Sequence, residues 1–275
     1  MLKQRVITAL LLLPLALAAI FFLPLQGFLL LLAIILLGGS LEYSRLAGLA
    51  GRFSAYLLIF IQAAIFSALF LLRDTWGMYE LPLLAASCVA WLIMFIRLQT
   101  YQPQAVPDNT YRFLSFITAL VSITAGWFAV CWLRLQADGS WLILLLLLIV
   151  WAADTGAYFV GRAFGKKKLA PNISPGKTVA GLMGGLILAP AVALFAAYLM
   201  PIGTIEPLRL VLLTVITALI SVGGDLMISM HKRISGHKDS GHLLPGHGGI
   251  LDRLDSLLAA APFFALGLLM TGSTG

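Results

Sequence analysis

The stretch from Ser229 to Asp255, SMHKRISGHKDSGHLLPGHGGILDRLD, holds all four histidines of the chain and three of its eleven acidic residues. The acids are Asp239, Asp252 and Asp255, with Asp225 just upstream; Lys232, Arg233, Lys238 and Arg253 are interspersed. Apolar runs flank the stretch on both sides. Charges of both signs packed beside lipid suit an enzyme that holds a metal ion and a polyphosphate at a membrane surface.

Spacing sharpens this reading. Asp225 and Ser229 are four residues apart and Lys232 is three further on, so a helix would present all three on one face. Asp252 and Asp255 stand three apart at the expected start of another helix, with Arg253 between them. Paired carboxylates suit Mg²⁺, a hard cation that keeps substrate phosphates in its shell. A plainer role for these two acids is to complement a helix dipole. The turn Pro245-Gly246-His247-Gly248-Gly249 lets backbone approach a ligand, and His247, held between glycines, could hydrogen-bond a phosphate or move a proton. His231, His237 and His242 read as interfacial residues. The histidines lie 6, 5 and 5 residues apart with no thiolate nearby, a pattern unsuited to zinc.

Two upstream segments join the pattern. WAADTGAYFVGRAFGKKK carries Asp154 roughly 9 Å inside the cytoplasmic end of an apolar span. A carboxylate at that depth needs a partner, a proton or a polar cavity. Arg162, eight residues on, is its candidate structural partner, and Gly156 and Gly161 would permit close helix packing. Next, Ser174-Pro175-Gly176-Lys177-Thr178 is read as the opening of a helix, where free backbone N–H groups and Lys177 favour an anion. The P-loop spacing is absent. Ser174, Lys177 and Thr178 are thus phosphate-binding candidates. Lys166, Lys167 and Lys168 read as topology signals or contacts to anionic lipid.

These residues need elements to position them, and composition says which. With 61% hydrophobic residues, 11% charged residues and a mean hydropathy of +1.01, the chain reads as an all-α, polytopic membrane protein. Taking about 20 apolar residues per crossing, nine spans are expected: 7–25, 27–46, 54–72, 80–96, 113–134, 141–160, 178–200, 208–229 and 255–272. The first is read as an uncleaved span rather than a signal peptide, because apolar sequence continues past Ala18. With the N-terminus in the cytoplasm, Arg73, Arg134 and Arg209 fall outside and the remaining 15 of the 18 Lys and Arg residues inside. The net charge of +7 therefore reports topology rather than nucleic-acid binding.

The chain reads as one membrane domain over 1–275. Residues 1–135 form its N-terminal helices, and 141–275 form a catalytic half with cytoplasmic loops 161–177 and 231–254. Cys88 and Cys131 lie in apolar runs and read as buried small hydrophobes. Glu42 is three residues before Arg45, the spacing of a local helix pair, and Trp76, Tyr79 and Trp132 read as interfacial anchors.

The run S-x-x-K-R-x4-K-D-x-G-x2-L-P-G-H-G-G-I-x-D-R-x-D, with Ala153-Asp154-Thr155-Gly156-Ala157-Tyr158 and Ser174-Pro175-Gly176-Lys177-Thr178, resembles the signature of the phosphatidate cytidylyltransferases, or CDP-diacylglycerol synthases. The chain departs from the usual family pattern at Ile228, His231 and Val179-Ala180.

The resemblance implies an integral enzyme of the bacterial inner membrane, its active site facing the cytoplasm. It would join CTP to phosphatidate with Mg²⁺, with room for a second cation, giving CDP-diacylglycerol and pyrophosphate. It also implies a homodimer. It puts metal binding on Asp225 and Asp252 and phosphate contact on Ser229 and Lys232. Asp239 and Asp255 join the catalytic set; Arg233, Lys238, His247, Gly248, Gly249, Arg253 and Asp154 join the substrate-binding set. Two other readings use parts of the same pattern: a CTP-dependent lipid kinase, and a cation or proton transporter with Asp154 and Asp225 in its pathway.

Overall fold

In lipid a backbone must satisfy its own hydrogen bonds, so apolar runs of this length fold as helices. The computed structural model describes residues 2–49, 51–102, 107–202, 205–241, 243 and 248–272. In chain order they form α1 (Leu2–Phe22), α2 (Leu25–Leu46), α3 (Arg52–Leu71), α4 (Trp76–Gln99), α5 (Asn109–Leu135) and α6 (Gly139–Phe164). A hairpin of β1 (Lys168–Ala170) and β2 (Ser174–Thr178) precedes α7 (Val179–Leu199), α8 (Pro207–Ile234) and α9 (Leu251–Thr271). Eight of the helices, α2 to α9, are long and apolar enough to cross a membrane. In α1 the stretch Leu10–Phe22 is a shorter apolar helix by the same measure.

The helical, polytopic architecture matches the expectation, with three local corrections. Ser174–Thr178 is extended and pairs antiparallel with β1, Lys168 opposite Thr178 and Ala170 opposite Ser174. The helix therefore begins five residues later than Ser174, capped by Thr178, whose Oγ1 accepts from Gly181 N at 3.0 Å. Second, α8 runs on to Ile234 and α9 starts at Leu251, so helix takes both ends of the expected 231–254 loop. Third, α6 continues to Phe164, into the expected 161–177 loop.

Helix α5 packs against α2, α3, α4, α6 and α9, and its buried residues include Trp127 and Trp132. The interfacial assignment therefore fails for two of the three aromatics. Trp132 is buried with its indole N–H on Glu80 Oε2 at 2.8 Å, and Trp76 is buried with its indole N–H on Leu69 O at 3.1 Å. Each indole finds an acceptor inside the bundle, which removes the need for an aqueous one; Tyr79 remains exposed. Cys88 and Cys131 are buried free thiols, as expected.

Helices α6 and α7 meet almost backbone to backbone. A Cβ at Gly156 would lie 2.6 Å from Gly184 O, one at Gly185 2.6 Å from Ala153 O, and one at Gly181 2.7 Å from Ala157 O. This is the close packing expected at Gly156 and Gly161, where dispersion between small residues holds helices that lipid does not drive together. Helices α8 and α9 approach similarly: a Cβ at Gly224 would sit 2.5 Å from Asp255 O.

Candidate active site

Helix α8 presents Asp225, Ser229 and Lys232 on one face, as their spacing demands. Ser229 Oγ donates to Asp225 Oδ1 at 3.0 Å, and Lys177 Nζ, from β2, lies 2.7 Å from Asp225 Oδ2. Lys232 Nζ donates to Asp252 Oδ1 at 2.8 Å across to α9. The remaining oxygen, Asp252 Oδ2, accepts Ser240 N at 2.8 Å and Gly249 N at 3.0 Å. Each carboxylate thus meets one ammonium group and at least one neutral donor, an arrangement that keeps a partly buried charge satisfied.

Two further acids belong to the cluster. Asp154, exposed on α6, interacts electrostatically with Lys177 and Asp225. Asp255 is buried one turn beyond Asp252, within electrostatic range of Asp225, Lys232 and Lys177, and its Oδ1 accepts Ser256 N at 2.7 Å. Arg162 is not the partner of Asp154 and instead donates to Tyr158 Oη at 3.1 Å.

A cleft of about 380 Å³ opens beside Lys177. Asp154, Ser174, Lys177 and Thr178 give it polar groups, while Ala157, Leu169, Leu182 and Val222 give it an apolar wall. Such a cleft can receive a molecule that is ionic at one end and hydrocarbon at the other. The Thr178 hydroxyl accepts Gly181 N as the cap of α7.

The other expected site residues are dispersed. Arg233 turns away from the carboxylates and donates Nε–H to Ile173 O at 3.0 Å, tying α8 to the hairpin. Lys238 and Asp239 are exposed, Asp239 beside Gly248, and among the described residues neither is ion-paired with the cluster. Arg253 is exposed on the first turn of α9. Gly248 has a φ of +81°, and a Cβ there would meet Asp252 Oδ2 at 2.7 Å, so close backbone approach requires glycine. A Cβ at Gly249 would collide with Ser240 Oγ and the Glu42 carboxylate. His242, Leu244 and, from the expected turn, Pro245, Gly246 and His247 lie outside the described residues.

His231 corrects another expectation. It is wholly buried rather than interfacial, with one ring nitrogen 2.8 Å from Met227 O and the other 3.3 Å from Tyr43 Oη. Ile228 is likewise buried.

Sequence reasoning missed Glu42. It makes no ion pair with Arg45 among the described residues; instead it is buried, accepting Ile250 N and Leu251 N at 3.0 Å each and Ser240 Oγ at 2.9 Å. One signal was available: Gly249-Ile250-Leu251 offers α9 no capping side chain, so its first N–H groups need an acceptor from elsewhere.

Among the described residues no three acids or histidines converge as a preformed cation cage. Mg²⁺ does not need one, since it is commonly held by one or two carboxylates with water and substrate phosphates. The donor set fits such an ion. Asp225 and Asp252 are hard oxygen ligands with lone pairs to spare, and four carboxylates share the cluster with two lysines.

The family model described as the cytidylyltransferase family matches residues 3–271. The chain belongs to the cytidylyltransferase family. That membership makes it a nucleotidyltransferase, and its apolar helices make it a membrane protein. It is 40% identical over 265 residues to the phosphatidate cytidylyltransferase of Pseudomonas aeruginosa, covering 96% of each chain. It is 38% identical to that of Haemophilus influenzae, covering 96% of this chain and 98% of the relative. With the Bacillus subtilis protein of the same name it shares 37% identity over 71% of this chain and 72% of the relative.

Proposed function

We propose that this protein is a phosphatidate cytidylyltransferase, transferring CMP from CTP to phosphatidate to give CDP-diacylglycerol and pyrophosphate. The observation that carries the reading is the cluster joining Lys177–Asp225 to Lys232–Asp252 beside a cleft with one ionic and one apolar wall. A phosphatidate oxygen attacks the α-phosphorus of CTP, a new P–O bond forms, and the bond to the β-phosphate bridging oxygen breaks. The lipid phosphate is already ionised, so no protein nucleophile is needed. The obstacle is repulsion between two polyanions.

Lys177 and Lys232 meet that obstacle by offering ammonium groups to phosphate oxygens, while Ser229 holds the orientation of Asp225. Asp225 and Asp252 would hold Mg²⁺, which when bound supplies charge neutralisation at the transferring and departing phosphates. Asp255 sits behind them and Asp154 at the cleft, both within reach of the lysine charges. The apolar wall of Leu169, Leu182 and Val222 accommodates the first carbons of the acyl chains. In this reading the N-terminus and the site face the cytoplasm of a bacterial inner membrane, and the enzyme works as a homodimer.

The test is pyrophosphate release by purified protein in detergent given CTP, phosphatidate and Mg²⁺, with product identified as CDP-diacylglycerol. Asp252→Asn sets an amide against Lys232 or against two N–H donors, and is expected to lower the rate at least about 100-fold. Release of CDP by the wild type would favour a kinase, and cation binding without turnover a transporter.

A further inference from the structure

We infer that Glu42 is a positioning residue, which pins both ends of the loop between α8 and α9 and so fixes where Asp252 presents its carboxylate. The inference rests on the proposed role of Asp252 and extends the site into the N-terminal half of the chain.

Two carboxylates close this loop between them. Ser240, near its start, gives its N–H to Asp252 Oδ2 and its Oγ–H to Glu42 Oε2, at 2.8 and 2.9 Å. At its end, Gly249 N goes to Asp252 Oδ2, while Ile250 N and Leu251 N go to Glu42 Oε1 and Oε2. All five donors lie on the loop or the first residue of α9, and Glu42 reaches three of them from α2, 208 residues away in sequence at Ile250. Its side chain is buried, so no water can replace it as acceptor, and its negative charge sits at the positive end of α9. Cβ atoms at Gly241 or Gly249 would collide with its carboxylate, so both glycines fit around it. Asp252 Oδ1, facing Lys232, is therefore held in a frame that Glu42 completes.

Glu42→Gln keeps the shape but turns an amide N–H₂ toward the N–H of Ile250 or of Leu251, neither of which can accept, and so tests the frame without opening a cavity. Hydrogen exchange in the metal-free protein should show at least one of the Ile250 and Leu251 amides, the one that meets the N–H₂, losing protection by about 10- to 100-fold, the worth of a bond to a charged acceptor. In the full reaction, kcat should fall about 10-fold or more and the half-saturating Mg²⁺ concentration rise several-fold, with KM for phosphatidate within about 2-fold. Unchanged exchange at those amides would overturn the tether. Loss of thermal stability with kcat and Mg²⁺ dependence intact would reduce Glu42 to a structural cap and overturn the positioning role. Should the variant fail to fold, Ser240→Ala removes one of the three bonds and is expected to raise the Mg²⁺ requirement about 2- to 5-fold; no change would overturn the inference. If wild type makes no CDP-diacylglycerol, the proposed reaction fails, and the exchange measurement still decides whether Glu42 holds the loop.

Discussion

Replacing Gly156 by alanine adds one methyl group where α6 meets the backbone of α7. That carbon would lie 2.6 Å from Gly184 O, 3.0 Å from Gly184 C and 3.0 Å from Leu188 Cβ, about 0.8 Å short of ordinary contact at the oxygen. A backbone carbonyl inside a helix cannot swing aside as a side chain can, so the helices must separate or tilt. Overpacking of this kind costs about 1–3 kcal/mol. At about 2–4 °C per kcal/mol, unfolding followed by tryptophan fluorescence should fall by roughly 2–12 °C. The site should feel the same shift, because Asp154 lies two residues from Gly156 on α6 and Lys177 lies just before α7. A displacement near 1 Å costs about 100-fold where groups must be held for reaction. CDP-diacylglycerol synthesis per folded molecule should therefore drop by about 10- to 100-fold. Gly77→Ala is the control: its Cβ would meet nothing within 4 Å, and alanine in α4 should leave stability unchanged or raise it by up to about 1 kcal/mol. A Gly156→Ala protein that melts and turns over like wild type would refute the packing argument. Lower stability with a full rate would leave the packing and refute its link to the site.

Lys177→Met strips Asp225 of its ion pair at 2.7 Å and leaves Ser229 as its remaining close donor. With the pair partly solvent-exposed, at 23% and 29%, the stability loss should be only about 1–2 kcal/mol, against at least about 100-fold in rate; comparing denaturation with turnover checks the split. Thr178→Ala removes the cap of α7, a hydroxyl that accepts Gly181 N at 3.0 Å, and should cost about 1 kcal/mol with KM for CTP unchanged; a large KM effect would mean that the hydroxyl also meets substrate.

Much of this architecture follows from local composition. An apolar run of about 20 residues becomes a helix whatever surrounds it, since only a helix satisfies its backbone hydrogen bonds within a single segment in lipid. The period of 3.6 residues likewise puts Asp225, Ser229 and Lys232 on one face before any packing is known. Gly156 could be read as a close-contact position because glycine in a membrane helix has few other uses.

Which groups face each other across helices was not legible. Spacing alone assigned Glu42 to Arg45 and Asp154 to Arg162, but a local pair at a surface is worth only a few tenths of a kcal/mol and yields to any stronger tertiary partner. For Glu42 that partner is the uncapped start of α9, and for Asp154 it is the positive charge of Lys177. Trp76, Trp132 and His231 went inward for the same reason, each finding a hydrogen-bond partner inside the bundle, and those of Trp132 and His231 lie 52 and 188 residues away in sequence. The sequence by itself therefore determined the helices, their apolar surfaces and the residue types of the site. The tertiary structure alone decided which carboxylate meets which donor, because those bonds join α2, α8, α9 and the hairpin across distances in sequence over which helical periodicity carries no information.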